Sequence, residues 1–196
     1  YGVPQKRQRL IILGVRRDLN KILSFPDELN TETNLKEIVE FNMKGAIHVP
    51  KEHFDISKLP KHSIMEDLEN DETENSPHPY LKLKATSVDT EYKGKTHKTL
   101  LSFSKRDSPI HCEIIDLTKP SKTIICTYDH QPRLFVALHN KNGYFLRCLL
   151  PDELKQIQGF PKDYKLSGNT KKQIIQIGNA VPPPLIELIA KHILTL

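Results

Sequence analysis

At 196 residues the chain is long enough for one large domain or two small lobes, and 37% hydrophobic with 27% charged residues is the content of a soluble globular protein that buries a core. Twenty-nine Lys and Arg against 24 Asp and Glu leave a formal charge of +5 and a pI near 9.0, a mild bias toward a polyanionic partner. The cysteines Cys112, Cys126 and Cys148 are odd in number, with no C-x-x-C pair and no His at zinc spacing, so neither a disulfide framework nor a metal site is indicated and a reducing cytosolic setting is expected.

In chain order, Tyr1 to Gly14, "YGVPQKRQRLIILG", runs from a tight turn through a burst of Arg and Lys into an apolar stretch. Arg9 to Val15 is nearly unbroken in apolar and β-branched residues, which predicts a strand buried on both faces. "TNLKEIVEFNMKG" predicts a short helix with Leu35, Ile38, Val39 and Met43 on one face, Asn34 and Glu37 as a capping pair, and Gly45 past its end. "MEDLENDETENSPHP" carries six carboxylates without a base and reads as a linker or surface loop. "YLKLKATSV", "HKTLLSF", "CEIIDL", "KTIICTY" and "RLFVAL" are short strand candidates separated by turn residues. Helices close the sequence: "LPDELKQIQGF" with Leu154 and Ile157 facing inward, "TKKQIIQIG", and "PPPLIELIAKHILTL". No run is long and apolar enough to span a bilayer, and the N-terminus lacks a signal-peptide core.

Chemistry concentrates at the two ends. Gln5, Arg7 and Arg9 alternate along an extended segment, so two guanidiniums can enter one cleft and grip phosphate or a carbonyl oxygen; the alternative is a pair of solvated charges at a strand entrance. Near the C-terminus, Gly178 is expected to end one helix, Asn179 to tolerate unusual backbone angles, and the prolines after Val181 to start the next helix, a corner that is otherwise only a connector. Between them, Leu81 to Arg106 holds seven Lys or Arg against Asp89 and Glu91, which fits a phosphate-binding face or a solvated β surface equally.

Three blocks in this order, "YGVPQKRQRLIILG", "LLPDELKQIQGFP" and "QIGNAVPPPL", resemble motifs VIII, IX and X of the cytosine-C5 DNA methyltransferases, with the variable stretch where that family keeps its target recognition domain. The resemblance implies an α+β chain: a β-rich recognition lobe, plus a strand and terminal helices that complete an α/β S-adenosylmethionine-dependent domain. The implied division is 1–19 as motif VIII, 20–79 as helical connection and acidic linker, 80–175 as the recognition domain with motif IX, and 176–196 as motif X. It further implies that Arg9 hydrogen-bonds O2 of a flipped cytosine, that Arg7 orients the site, and that Asn179 and Val181 touch S-adenosylmethionine. "KTIICTYDHQPRL" resembles the segment lying against DNA at the flipped base, making Thr123 a backbone contact and Tyr128, His130, Gln131 and Arg133 base or phosphate contacts, with Gln5, Lys95 and Lys98 as further DNA-binding residues.

The Pro-Cys nucleophile, the Glu-Asn-Val block and the Gly-rich cofactor turn that precede motif VIII in the family are not found in these residues. The resemblance therefore implies a C-terminal part whose partners are double-stranded DNA and an N-terminal catalytic half. The expected setting is a restriction-modification system in a bacterial cytoplasm, with no metal, no membrane and no activity for the fragment alone. Two rivals stand beside it: a non-catalytic DNA-binding subunit, and a fragment of a transfer-RNA cytosine-5 methyltransferase.

Overall fold

The computed structural model describes residues 1–29, 31–51, 54–73, 76–79, 84–85, 90–92, 95–97, 101–102 and 113–195, the short pieces between 84 and 102 as backbone only. The described chain is mixed α and β. Its strands are β1 (Gln5–Lys6), β2 (Ile47–His48), β3 (Ile64–Asp67), β4 (Lys84–Ala85), β5 (Thr90–Tyr92), β6 (Lys95–His97), β7 (Leu101–Ser102), β8 (Glu113–Ile114), β9 (Ser121–Lys122), β10 (Leu134–Asn140) and β11 (Gly143–Cys148). Three helices follow: α1 (Pro151–Ile157), α2 (Thr170–Asn179) and α3 (Pro183–Leu194).

The hairpin β10–β11 is the centre of the larger sheet. Gly143 takes a φ of 118° at its turn, a conformation that costs a residue with a Cβ. β2 pairs antiparallel with β11, while β3 and β8 both pair parallel with β10, β3 toward its end and β8 toward its start. Leu134, Phe135, Val136, Ala137 and Leu138 are consecutively buried, the pattern of a strand covered on both faces, where "RLFVAL" predicts a short strand. The remaining strands form two-stranded pairs: β1 parallel to β9, β4 with β7 and β5 with β6.

The closing helices stand where the sequence places them. Pro151 opens α1, the Glu153 carboxylate accepts the Leu150 N–H at 2.7 Å, and Leu154 and Ile157 are fully buried. The Asn169 side chain caps α2 by accepting from Lys172 N.

Three expectations fail outright, and of the strand expected over "KTIICTY" only Lys122 lies in one, β9. Leu35, Val39 and Met43 are buried on one side as their spacing predicts, but the chain makes a single turn there and no helix. The cause is a buried ion pair. Arg147, fully buried, meets Glu153 through both Nη atoms at 2.7 and 2.8 Å; Arg147 Nη2 also donates to Glu40 O, and Glu153 Oε1 accepts the Glu40 N–H. With both backbone groups of Glu40 captured, an i to i+4 ladder cannot pass through it. The second failure is the acidic stretch, whose first residues Met65 to Asp67 belong to β3, so the supposed connection over 20–79 contributes two strands to the central sheet.

The third is Arg9 to Val15. It is not a strand, and Leu10 and Ile12 are 87% and 82% exposed. Among the described residues no strand lies beside it to take its backbone groups, and a segment with that composition stays out of a sheet when no neighbour is present. Cys126 is a half-buried free thiol and Cys148 is buried in the core; Cys112, the basic stretch apart from its backbone pieces, and Lys98 lie outside the described residues.

Candidate active site

The two ends of the chain meet. A cavity of about 520 Å³ is lined by Tyr1, Arg7, Arg9, Leu10 and Ile11 from the N-terminal segment, by Phe25 and Pro26, and by Asn179, Ala180, Val181, Pro182, Leu185 and Ile189 from the α2–α3 corner. Four of the residues singled out by sequence, Arg7, Arg9, Asn179 and Val181, therefore share one wall system although they are some 170 positions apart. The Phe25 side is fastened to α3 by a 3.0 Å contact between the Ser24 hydroxyl and His192 Nε2.

Arg7 and Arg9 do different work. Arg7 is half-buried, and its Nη1 and Nη2 donate to Ile124 O and Gly178 O, both at 3.0 Å, so its guanidinium rivets the loop after β9 to the last turn of α2. Burial, and then the neighbouring Arg9 charge, pull its pKa below the usual arginine range. Arg9 is exposed, and among the described residues its guanidinium donates only to the adjacent Gln8 carbonyl, from Nη1 at 2.6 Å. One guanidinium is spent on the fold; the other remains available to the cavity. Two like charges facing the same space favour an anion or a carbonyl oxygen that acquires negative charge.

The cavity's other walls are apolar, from Leu10, Ile11, Phe25, Val181, Leu185 and Ile189. Val181 is 57% exposed and Asn179 is exposed, so neither is consumed by packing. An apolar wall ending in a side-chain amide suits the edge of a flat heteroaromatic group.

The N-terminal segment is held against the loop after β9 by several bonds. β1 and β9 pair in parallel, Gln5 with Ser121 and Lys6 with Lys122, and the Thr123 hydroxyl donates to Lys6 O at 3.0 Å. Thr123 thus stands beside the arginine segment. Gln5, expected at DNA, is instead buried, its amide bonded to Gln158 and Ile124. Tyr128, also expected at DNA, is 2% exposed: its hydroxyl donates to Leu134 O at 2.5 Å and accepts Leu149 N–H at 2.9 Å, an inward position set by the need to satisfy both backbone groups. His130 and Gln131 are half-buried in the following turn and Arg133 is exposed just before β10. None of the three lines the cavity. Lys95 stands on β6 opposite Tyr92, and its side chain is not described.

Two residues of the site are misread or missed by sequence reasoning. Gly178 is inside α2 rather than after it, with no positive φ; a Cβ there would come within 2.4 Å of Cys126 N. Its reason is close backbone approach, which no local pattern reveals. Asn179 ends α2 with ordinary helical geometry, so tolerance of unusual angles is not why it is there. Gln158 is the second, a fully buried amide on a helix whose apolar positions alone are legible.

The family of C-5 cytosine-specific DNA methylases matches residues 1–195, and the chain belongs to that family. Among its curated relatives are the type II methyltransferases M.MthTI of Methanothermobacter thermautotrophicus (29% identical, covering 98% of this chain and 52% of the relative) and M.BspRI of Lysinibacillus sphaericus (30%, 98% and 40%). A third, M.Bpa9945I of Bacillus paralicheniformis, is 23% identical over 98% of this chain and 48% of its own length. The chain spans about half the length of these relatives. No helix among the described residues is long and apolar enough to cross a membrane.

Proposed function

We propose that this chain is the C-terminal, DNA-recognising part of a DNA (cytosine-5)-methyltransferase of a type II restriction-modification system. In this reading the enzyme takes a cytosine out of the duplex and methylates C5, the methyl group being supplied by S-adenosylmethionine. The β-rich middle of the chain reads the target, the α2–α3 corner forms one edge of the cofactor site, and an N-terminal half supplies the nucleophilic thiolate and the acid that contacts the base. This chain alone is then inactive.

One observation carries the reading: Arg9 projects, without a carboxylate partner among the described residues, into a cavity it shares with Arg7, Asn179 and Val181. A guanidinium so placed hydrogen-bonds the O2 of an extruded cytosine, and it holds that oxygen more strongly as attack at C6 pushes electron density toward it. Arg7 keeps the loop and the helix end at the spacing that makes the cavity. Thr123, Lys95, Lys98, His130 and Arg133 are the candidates for DNA contact.

The test is methyl transfer by the full methyltransferase carrying Arg9→Ala. Removing a donor aimed at developing oxygen charge lowers kcat by about 10²–10³-fold, with DNA binding retained. Full turnover by Arg9→Ala rejects the proposal.

A further inference from the structure

We infer that Gln158 is a positioning residue of this site: with Gln5 it forms a two-amide relay that sets the Ala180 corner at a fixed distance from the arginine segment. The inference rests on the reading of the cavity given above.

The relay has one allowed direction. Ala180 O can only accept, so Gln158 presents Nε2 to it, at 2.6 Å. That turns Gln158 Oε1 toward Gln5, whose Nε2 donates at 2.7 Å. Gln5 Oε1 is then left facing the Ile124 N–H, a donor, at 3.2 Å. Flipping either amide sets like groups against each other, so the backbone at both ends fixes the sense of the whole chain.

Its end points are the ones that matter. Ile124 and Gly178 supply the carbonyls held by Arg7, and Ala180 lies two residues beyond Gly178. The loop after β9 and the α2–α3 corner are thus joined twice, once by a charged fork and once by neutral amides. Asn179 and Val181, the corner residues on the cavity wall, flank the residue that Gln158 holds. Arg7 fixes the helix end; Gln158 fixes the turn that follows. Burying two amides is unfavourable unless every polar end is met, and here each is met only if the corner is in register.

The experiment uses the full methyltransferase with Gln158→Met, Gln5→Met and the double variant, measuring folded fraction, kcat, KM for S-adenosylmethionine and DNA affinity. With the folded fraction unchanged, Gln158→Met is expected to raise KM for S-adenosylmethionine by about tenfold, because a displaced corner weakens binding at that edge. DNA affinity should stay within about twofold, and the double variant should be no worse than the single ones, since the amides act as one unit. Loss of activity in proportion to folded fraction with unchanged KM, or additive effects in the double variant, overturns the inference. If the wild-type enzyme transfers no methyl group, the functional reading fails while the relay is still tested: hydrogen exchange at the Ile124 amide must accelerate in Gln158→Met and in Gln5→Met, and unaltered exchange in both overturns the relay.

Discussion

Gly178→Ala sets two effects of opposite sign against each other at one position. Gly178 lies within α2, and in a helix interior Gly→Ala stabilises by about 0.8–1.0 kcal/mol through propensity alone. The added methyl, however, arrives 2.4 Å from Cys126 N, 2.5 Å from Cys126 Cα and 2.8 Å from Ile125 C. These are backbone atoms, which have no rotamer to escape into. Restoring ordinary contact requires the loop and the helix to part by about 1 Å, and overpacking of this kind costs about 1–3 kcal/mol. The same separation stretches the two 3.0 Å bonds from Arg7 to Ile124 O and Gly178 O, and charged hydrogen bonds are each worth about 1.5–3 kcal/mol. Strain and weakened bonds outweigh propensity, so Gly178→Ala should destabilise by at least about 2 kcal/mol in urea unfolding. Gly14→Ala is the control, since nothing lies within 4 Å of its added Cβ. A Gly178→Ala protein as stable as wild type, or more so, would refute the close approach of α2 to the loop.

Other consequences follow from buried polar groups. Glu153→Ala leaves Arg147 charged and unpaired in the core and should cost about 3–5 kcal/mol, whereas Arg147→Met with Glu153→Leu should recover much of that loss; denaturant midpoints of the three proteins check this. Tyr128→Phe abandons Leu134 O and Leu149 N–H and should cost about 1–3 kcal/mol without changing DNA affinity. Burial raises the Tyr128 pKa well above the usual tyrosine range. Below that range both folded and unfolded chains hold the proton and the contribution is complete; above about pH 10 the unfolded chain ionises first, so stability falls as pH rises. The Phe variant should show a flatter alkaline stability profile. An unchanged slope would mean the hydroxyl is not buried as described.

The legible parts of this fold are those in which local pattern and tertiary position agree. α1 and α3 announce themselves through Pro near the start, α2 through the run "TKKQIIQIG", and β10 through an unbroken apolar run. The turn at Leu35–Val39 misleads because its spacing correctly identifies which side is buried, while the backbone is claimed by Arg147 and Glu153 more than 100 residues away. β3 hides inside an acidic stretch, since its backbone pairing with β10 tolerates exposed carboxylates such as Glu66. At the site, the cationic segment and the Asn179–Val181 corner are readable as unusual chemistry near either end. That they form one cavity is not readable, because Gln158 and Gly178 act through buried contacts across the chain. Tyr128 shows the converse: a polar aromatic in a suggestive position whose hydroxyl serves two backbone groups.

The central claim concerns the exposed guanidinium of Arg9, and the structure of the full methyltransferase bound to duplex DNA and S-adenosylhomocysteine tests it most directly. The account predicts an extruded cytosine in the cavity, with its O2 about 2.7–3.2 Å from an Arg9 nitrogen. A cytosine held by other groups, with Arg9 turned to solvent or paired with a carboxylate, would contradict it.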